Sequence, residues 1–179
     1  MHERNMKYYT ADIHFGDARI IGLCGRPYKD LEEMTISIIM NWNSTVDPKD
    51  DVYLLGDVAY RYKGNLRLLL DSLNGKKHLL VGNHDSGWMK NPTNLRAFHS
   101  IDKLSKIHDE GRSVVLCHYP LLSFDGYHTG GYHVFGHIHN NTNEPLYDAI
   151  NSMRNAFNAG VDVNGFTPVT LDQLIASKQ

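Results

Sequence analysis

The chain has 179 residues, 41% of them apolar, enough for one domain to bury a substantial core without disulfides, which excludes a disordered tail and a mini-protein. Eighteen basic against twenty acidic residues leave a formal net charge of −2, so the broad basic field of a general nucleic-acid binder is missing, although a small basic site is not excluded. The two cysteines, Cys24 and Cys117, have no Cys neighbour at a ligand spacing, which argues against a disulfide framework and a thiolate zinc site, whereas eleven histidines raise the question of whether they are scattered or grouped.

The first residues contain no apolar signal-like stretch, and no run approaches the length of a membrane span; the expectation is a cytoplasmic protein without a membrane partner. No repeat or linker interrupts the chain, so a single domain over residues 1–179 is expected. In chain order, apolar runs of strand length each lead into a polar corner. Tyr8–Ala11 precedes Asp12 and His14; Val52–Leu55 precedes Gly56-Asp57; Leu79–Val81 precedes Gly82-Asn83-His84-Asp85. Val114–Cys117 then precedes His118, and Val134-Phe135 precedes Gly136-His137-Ile138-His139.

Between these runs the period changes. Leu31, Met34, Ile38 and Trp42 form one stripe of a helix predicted over about residues 30–43. Leu66, Leu69, Leu70 and Leu73 form a second stripe, with Asn65 as N-cap and Gly75 as the stop. Ile101 to Tyr119 reads as a hairpin turning at Asp109–Arg112, Phe157–Val163 as a further strand, and Thr170-Leu171-Asp172-Gln173 as the capping box of a terminal helix. Alternating strands and helices in the first half predict an α/β architecture with parallel pairing, in which ligands collect at the carboxyl ends of strands.

All five polar corners lie at such ends, so Asp12, His14, Asp57, Asn83, His84, His118, His137 and His139 are expected in one cleft. Taken singly, each is more simply a hydrogen-bonded structural group; jointly, buried carboxylates and imidazoles need a neutralising cation. If the segments are extended, residues two apart point the same way, so Asp12 with His14, and His137 with His139, can each share a metal. Oxygen and imidazole donors suit manganese, iron, nickel or zinc, and the donors do not choose among them; manganese is the cofactor expected first. Seven candidate ligands exceed one tetrahedral site with an open position and fit two metals sharing a carboxylate.

Asp12-x-His14, Gly56-Asp57, Gly82-Asn83-His84-Asp85, His118 and Gly136-His137-x-His139 match, in order, the five motifs of the calcineurin-like metallophosphoesterases, and the chain resembles that superfamily's small bacterial and phage branch. Phe15-Gly16, Gly25-Arg26-Pro27, Cys117-His118-Tyr119-Pro120 and Ala159–Val163 extend the resemblance over most of the chain. It implies a four-layer sandwich of two mixed β-sheets flanked by helices, with a dinuclear metal centre at the strand ends. By motif position Asp12, His14, Asp57 and His139 hold one ion, Asp57, Asn83, His118 and His137 the other, and Asp57 bridges. A metal-held hydroxide near Asp57 then attacks phosphorus directly, with ions about 3.5–4 Å apart. His84 serves as proton donor to the leaving group and Asp85 orients its ring. Position 17, often His in this branch, is Asp here, which leaves its part in substrate contact open.

Arg26, His128 and His133 are candidate substrate contacts; Arg61, Lys63 and Arg67 read more simply as solvated charge, and His2, His78, His99 and His108 as surface or structural residues. Cys117 reads as a small core residue, and Asp162 either as a hydrogen-bond partner of a ligand histidine or as a turn residue. The function expected is a metal-dependent phosphoesterase acting on phosphodiesters ahead of phosphomonoesters, on a small phosphate ester or nucleotide, with nucleic acid unsupported by the net charge. The rival is a metal-binding scaffold of the same fold acting in a protein complex.

Overall fold

A computed structural model describes residues 5–178, so His2 lies outside the described residues. The strands divide between two four-stranded sheets. In the first, β1 (Lys7–Thr10), β2 (Asp51–Leu54), β3 (Lys76–Leu80) and β4 (Phe98–Asp102) lie side by side in chain order, every pair parallel. In the second, β5 (Leu104–Asp109) and β6 (Arg112–Cys117) form an antiparallel hairpin, and β7 (Tyr132–Phe135) and β8 (Ala156–Asn158) add in parallel. The α/β sandwich of two sheets is therefore the fold of the chain. Only the second sheet is mixed. Each connection in the first runs through helix, as parallel neighbours require a crossover: α1 (Arg19–Leu23) and α2 (Leu31–Thr45) join β1 to β2, α3 (Leu66–Asp71) joins β2 to β3, and α4 (Pro92–Leu95) lies between β3 and β4.

Local chemistry sets these elements. Asp30 caps α2 by accepting the Glu33 N–H, and the buried Met34, Ile38 and Trp42 present one stripe. That stripe packs with Leu66, Leu69 and Leu70 of α3 on Val52, Leu54 and Leu79 of the first sheet. Asn65 caps α3, but Gly75 is not its stop. The helix closes at Ser72, whose N–H meets the Leu68 carbonyl and whose hydroxyl meets that of Leu69, and Gly75 instead takes φ +85° in the turn entering β3.

Between the sheets lies a second core of Tyr9, Tyr53, Leu80, Val114, Leu116, Val134 and Phe157, closed by Leu171 and Leu174 of α6 (Leu171–Ala176). Thr170 and Gln173 form the expected capping box. Outside the second sheet, α5 (Tyr147–Ser152) packs Ile150 with Phe135, Ile138 and Met153, which completes four layers. The β5–β6 hairpin turns on Glu110 and Gly111, both at positive φ, the geometry that suits the strands' right-handed twist.

The strand expected over Phe157–Val163 is shorter. Only Ala156–Asn158 pairs with β7; Val161–Val163 is one 3₁₀ turn that carries Asp162 under the end of β1. Asn158 and Asn164 hold this bend by bonding Gly160 N–H and the Asn158 and Gly160 carbonyls. No helix among the described residues is long and apolar enough to cross a membrane.

Candidate metal centre

The polar corners gather where β1, β2, β3, β6 and β7 end, at facing edges of the two sheets. Their backbone is not the extended one expected for a shared i, i+2 face. Asp12, His14, Asp57, His137 and His139 all have φ between +50° and +74°, in the left-handed region that Asp, Asn and His enter more readily than other side chains. The left-handed residues fold the corners inward, so the pairs converge by turning rather than by strand alternation. Two motif glycines follow from the crowding. A Cβ at Gly82 would collide with the Asp57 carboxylate, and one at Gly136 would lie 2.8 Å from Asp12 Oδ2 and 2.6 Å from Ala11 Cβ.

Two donor clusters result, Asp12 with His14 and His139, and Asp12 with Asp57 and His118. Asp57 reaches both sides: its Oδ2 is 3.5 Å from His14 Nε2 and 3.6 Å from His118 Nε2, while Oδ1 accepts the His84 N–H at 2.8 Å. His118 Nδ1 donates to the Leu55 carbonyl at 2.7 Å, which in a neutral ring leaves a lone pair on Nε2. That nitrogen faces Asn83 Oδ1 at 2.9 Å, and the same oxygen is 3.0 Å from His137 Nδ1. Donors bound about 2.0–2.2 Å from one ion stand at about this separation from each other. His14 is buried, and neither of its ring nitrogens has a hydrogen-bond partner among the described residues. An imidazole left so costs about 1–3 kcal/mol unless something else satisfies it. The donor set and the orphaned ring thus fit divalent cations.

Burial raises Asp12 to about 6 against the pull of His139 and His118, and it lowers His14 to about 4. His137 is lowered by burial as well. His139 moves the other way: burial opposes its charged form, but the hydrogen bond to Asp162, with Cys24 and Asp12 nearby, raises it to about 10. Asp162 accepts from His139 Nδ1 at 2.7 Å and is held by Arg26 through two bonds of 2.7 and 3.0 Å. Of the two readings of Asp162, the geometry selects partner of His139. Cys24, set aside in the sequence as isolated, lies with His139 and Asp162 in one cluster.

His84 stands beside the clusters, its ring 5.3 Å from that of His14 and 5.1 Å from Tyr60. Asp85 does not orient that ring. It is fully buried, and its carboxylate accepts the N–H groups of Gly82, Asp57 and Val58 and of the Trp88 indole at 2.8–2.9 Å. Asp85 therefore pins the second and third corners to each other. Arg26 is no substrate contact either: its side chain is inaccessible and also donates to the Asp12 and Ile13 carbonyls. His133 is buried between the Val115 carbonyl and the Leu121 N–H, so it cannot face a substrate. His128 is exposed against Tyr127 on a 3₁₀ turn, with no site residue among its ring contacts. Asp17 binds Arg19 through both oxygens at 2.9 Å.

No family model matches the chain. The uncharacterized protein MJ1445 of Methanocaldococcus jannaschii is 34% identical over 174 residues, 94% of this chain and 88% of that protein. The chain belongs to one family with it. Among solved structures, the protein of unknown function AQ665 from Aquifex aeolicus shares the fold at a TM-score of 0.76 and 23% identity, covering 97% of this chain and 100% of its own. YfcE, a phosphoesterase from E. coli, overlaps partially, with a TM-score of 0.39, 16% identity, and coverage of 74% of this chain and 69% of its own.

Two residues of this candidate metal centre escape the motif reading. Tyr60 meets the edge of His84, and Tyr119 packs its half-exposed ring 5.0 Å from His118 and 4.8 Å from His137. Tyr119 directly follows a motif residue, which is a usable signal; Tyr60 carries none beyond lying three residues after Asp57.

Proposed function

We propose that the chain is a dinuclear-metal phosphoesterase, a single catalytic domain over residues 1–179 that hydrolyses phosphodiesters and, more slowly, phosphomonoesters. The observation that carries the reading is the placement of the Asp57 carboxylate between His14 and His118, one oxygen about equally far from each. Asp12, His14, Asp57 and His139 would hold one ion, and Asp57, Asn83, His118 and His137 the other, with manganese first among candidates. Two such ions, when bound, lower the pKa of a coordinated water and neutralise charge on the phosphoryl oxygens.

The chain's own residues supply the rest. Asp162 fixes the rotation of the His139 ring, which gathers with Asp12 and His14. Asp85 fixes the corner that carries Asn83 and His84 against that of Asp57. His84 donates a proton from its ring to the departing alkoxide as the P–O ester bond breaks, while the water oxygen joins phosphorus and its proton is lost to solvent. Acid assistance matters most for an alkoxide leaving group; such catalysis contributes roughly 10²–10⁴ in rate.

The test is turnover of bis(p-nitrophenyl) phosphate and p-nitrophenyl phosphate by protein loaded with Mn²⁺, then stripped with chelator, alongside measured metal content. Metal-dependent hydrolysis, faster on the diester, is expected. Two ions per chain without hydrolysis of either ester would replace the enzyme reading with that of a metal-binding scaffold.

A further inference from the structure

Among the described residues eight non-glycine residues have positive φ, and five of them are Asp12, His14, Asp57, His137 and His139. Glu110 turns a hairpin and Phe166 lies in the loop before α6. The eighth is Arg61, at φ +52°. Backbone held in this region gathers at functional sites, where the strain places a side chain. Here it returns the exposed Arg61 guanidinium over Tyr60, 5.1 Å from the ring centroid, and Arg19 lies over the same ring at 5.0 Å. Tyr60 in turn meets His84 edge-on. Arg19 is tied to Asp17, whereas Arg61 has no carboxylate partner among the described residues.

Between the segment that follows Tyr60 and the one that follows Ser86 lies a groove of about 740 Å³ whose lining includes Tyr62, Arg67, Trp88 and Lys90 and no carboxylate. Its walls continue the two chain segments that leave the centre, one after Asp57 and one after Asp85. Residues 60–70 and 86–97 carry Arg61, Lys63, Arg67, Lys90 and Arg96 and no acidic residue, in a chain with more acidic than basic residues overall; Arg67 is paired with Asp71 at 2.7 Å, so the charge of the row rests on the other four. The near-neutral total therefore hides a local basic rim. A substrate with one phosphate needs no row of cations outside the metal centre. A single strand of nucleic acid does, since its phosphates repeat along the chain and its bases take sequence-independent contacts from aromatic rings.

The geometry points to single-stranded nucleic acid as the substrate of this centre, with the scissile phosphate beside Asp57 and His84, the neighbouring phosphate at Arg61, and the strand running along the groove toward Lys90. This rests on the phosphoesterase reading above. Hydrolysis adds water across one internucleotide P–O bond and leaves a phosphate on one fragment and a hydroxyl on the other.

The experiment compares Mn²⁺-loaded protein on fluorescent single-stranded deoxy- and ribo-oligonucleotides of about ten residues and on bis(p-nitrophenyl) phosphate, with binding of the same oligonucleotides to chelated protein followed by anisotropy. Cleavage of at least one strand type is expected, the two arms distinguishing DNA from RNA. For the double variant Arg61→Ala, Lys90→Ala, kcat/KM should fall at least tenfold more on the oligonucleotide than on the small diester. Anisotropy should show weaker binding, with a slope of log affinity against log salt reduced by about 0.7 per cation removed. Hydrolysis of the small diester with no cleavage of either strand, or an equal loss on both substrates, would overturn the strand reading alone. Failure on every substrate would overturn the phosphoesterase reading with it.

Discussion

Asp162 accepts the His139 Nδ1–H at 2.7 Å, and Arg26 closes on the same carboxylate from behind, so one buried acid fixes the rotation of one candidate metal-binding ring. His139 also gathers with Asp12 and His14, so this bond holds the ring at the candidate site. Partners of this kind fix a ligand's tautomer and orientation, and their loss typically lowers metal affinity about 10–100-fold. Asp162→Asn should weaken binding of one Mn²⁺ equivalent by that factor while the other is retained, read by calorimetric titration at pH 7.5. Wild-type affinity for both equivalents would detach Asp162 from the centre.

Arg26 makes a contrasting case. Its side chain is inaccessible, and besides Asp162 it holds the Asp12 and Ile13 carbonyls, so it braces the first corner from within. Breaking one side of a buried pair costs about 3–5 kcal/mol, because the remaining charge loses its partner; Asp162 keeps its bond from His139, which places the loss toward the lower end of that range. Arg26→Leu should lose that much in urea unfolding of the metal-free protein. A stable variant whose only defect is a raised KM would restore Arg26 to the substrate side.

His84 lies outside both donor clusters, yet its ring is 5.3 Å from that of His14. His84→Ala should retain two metal equivalents and lose roughly 10²–10⁴ in kcat on a diester. On an ester whose leaving group is already a weak base the loss should be smaller. Loss of metal in this variant, or undiminished turnover on an alkyl diester, would remove His84 from proton donation.

The strand-then-corner pattern made the α/β order and the convergence of Asp12, Asp57, Asn83, His118, His137 and His139 legible, because a polar group after each apolar run is a local signal. What the letters could not show was conformation or partnership. Asp12 and His14 share a side by left-handed turns, a backbone state that alternation rules do not anticipate. Asp85 sits beside His84 in sequence, which suggested an orienting bond, but the carboxylate points the other way, into four N–H groups that only the packed fold assembles. Arg26 and His133 looked free for substrate because their partners, Asp162 and the Val115 carbonyl, are distant in the chain or on a neighbouring strand. The basic rim was invisible in a net charge of −2, which averages over opposite faces.

His133 supplies a test in pH. It is fully buried; its Nε2 accepts the Leu121 N–H and its Nδ1 donates to the Val115 carbonyl, an arrangement only the neutral ring can make. Burial holds its pKa below the usual histidine value of 6.5, outweighing the backbone bonds that favour the charged form. Above about pH 6.5 the ring is neutral in both the folded and unfolded chain and contributes no slope. As pH falls below that value the unfolded chain takes up a proton that the folded chain refuses, so stability drops by up to about 1.4 kcal/mol per pH unit until the lowered folded pKa is reached. His133→Leu gives up two hydrogen bonds and is less stable at pH 7.5, but it has no such proton to refuse. Urea unfolding of metal-free protein from pH 7.5 to 5 should therefore show the gap between wild type and variant narrowing as pH falls. A gap that stays constant would mean that His133 is protonated in the folded state as readily as in the unfolded one, and the buried neutral ring would be wrong.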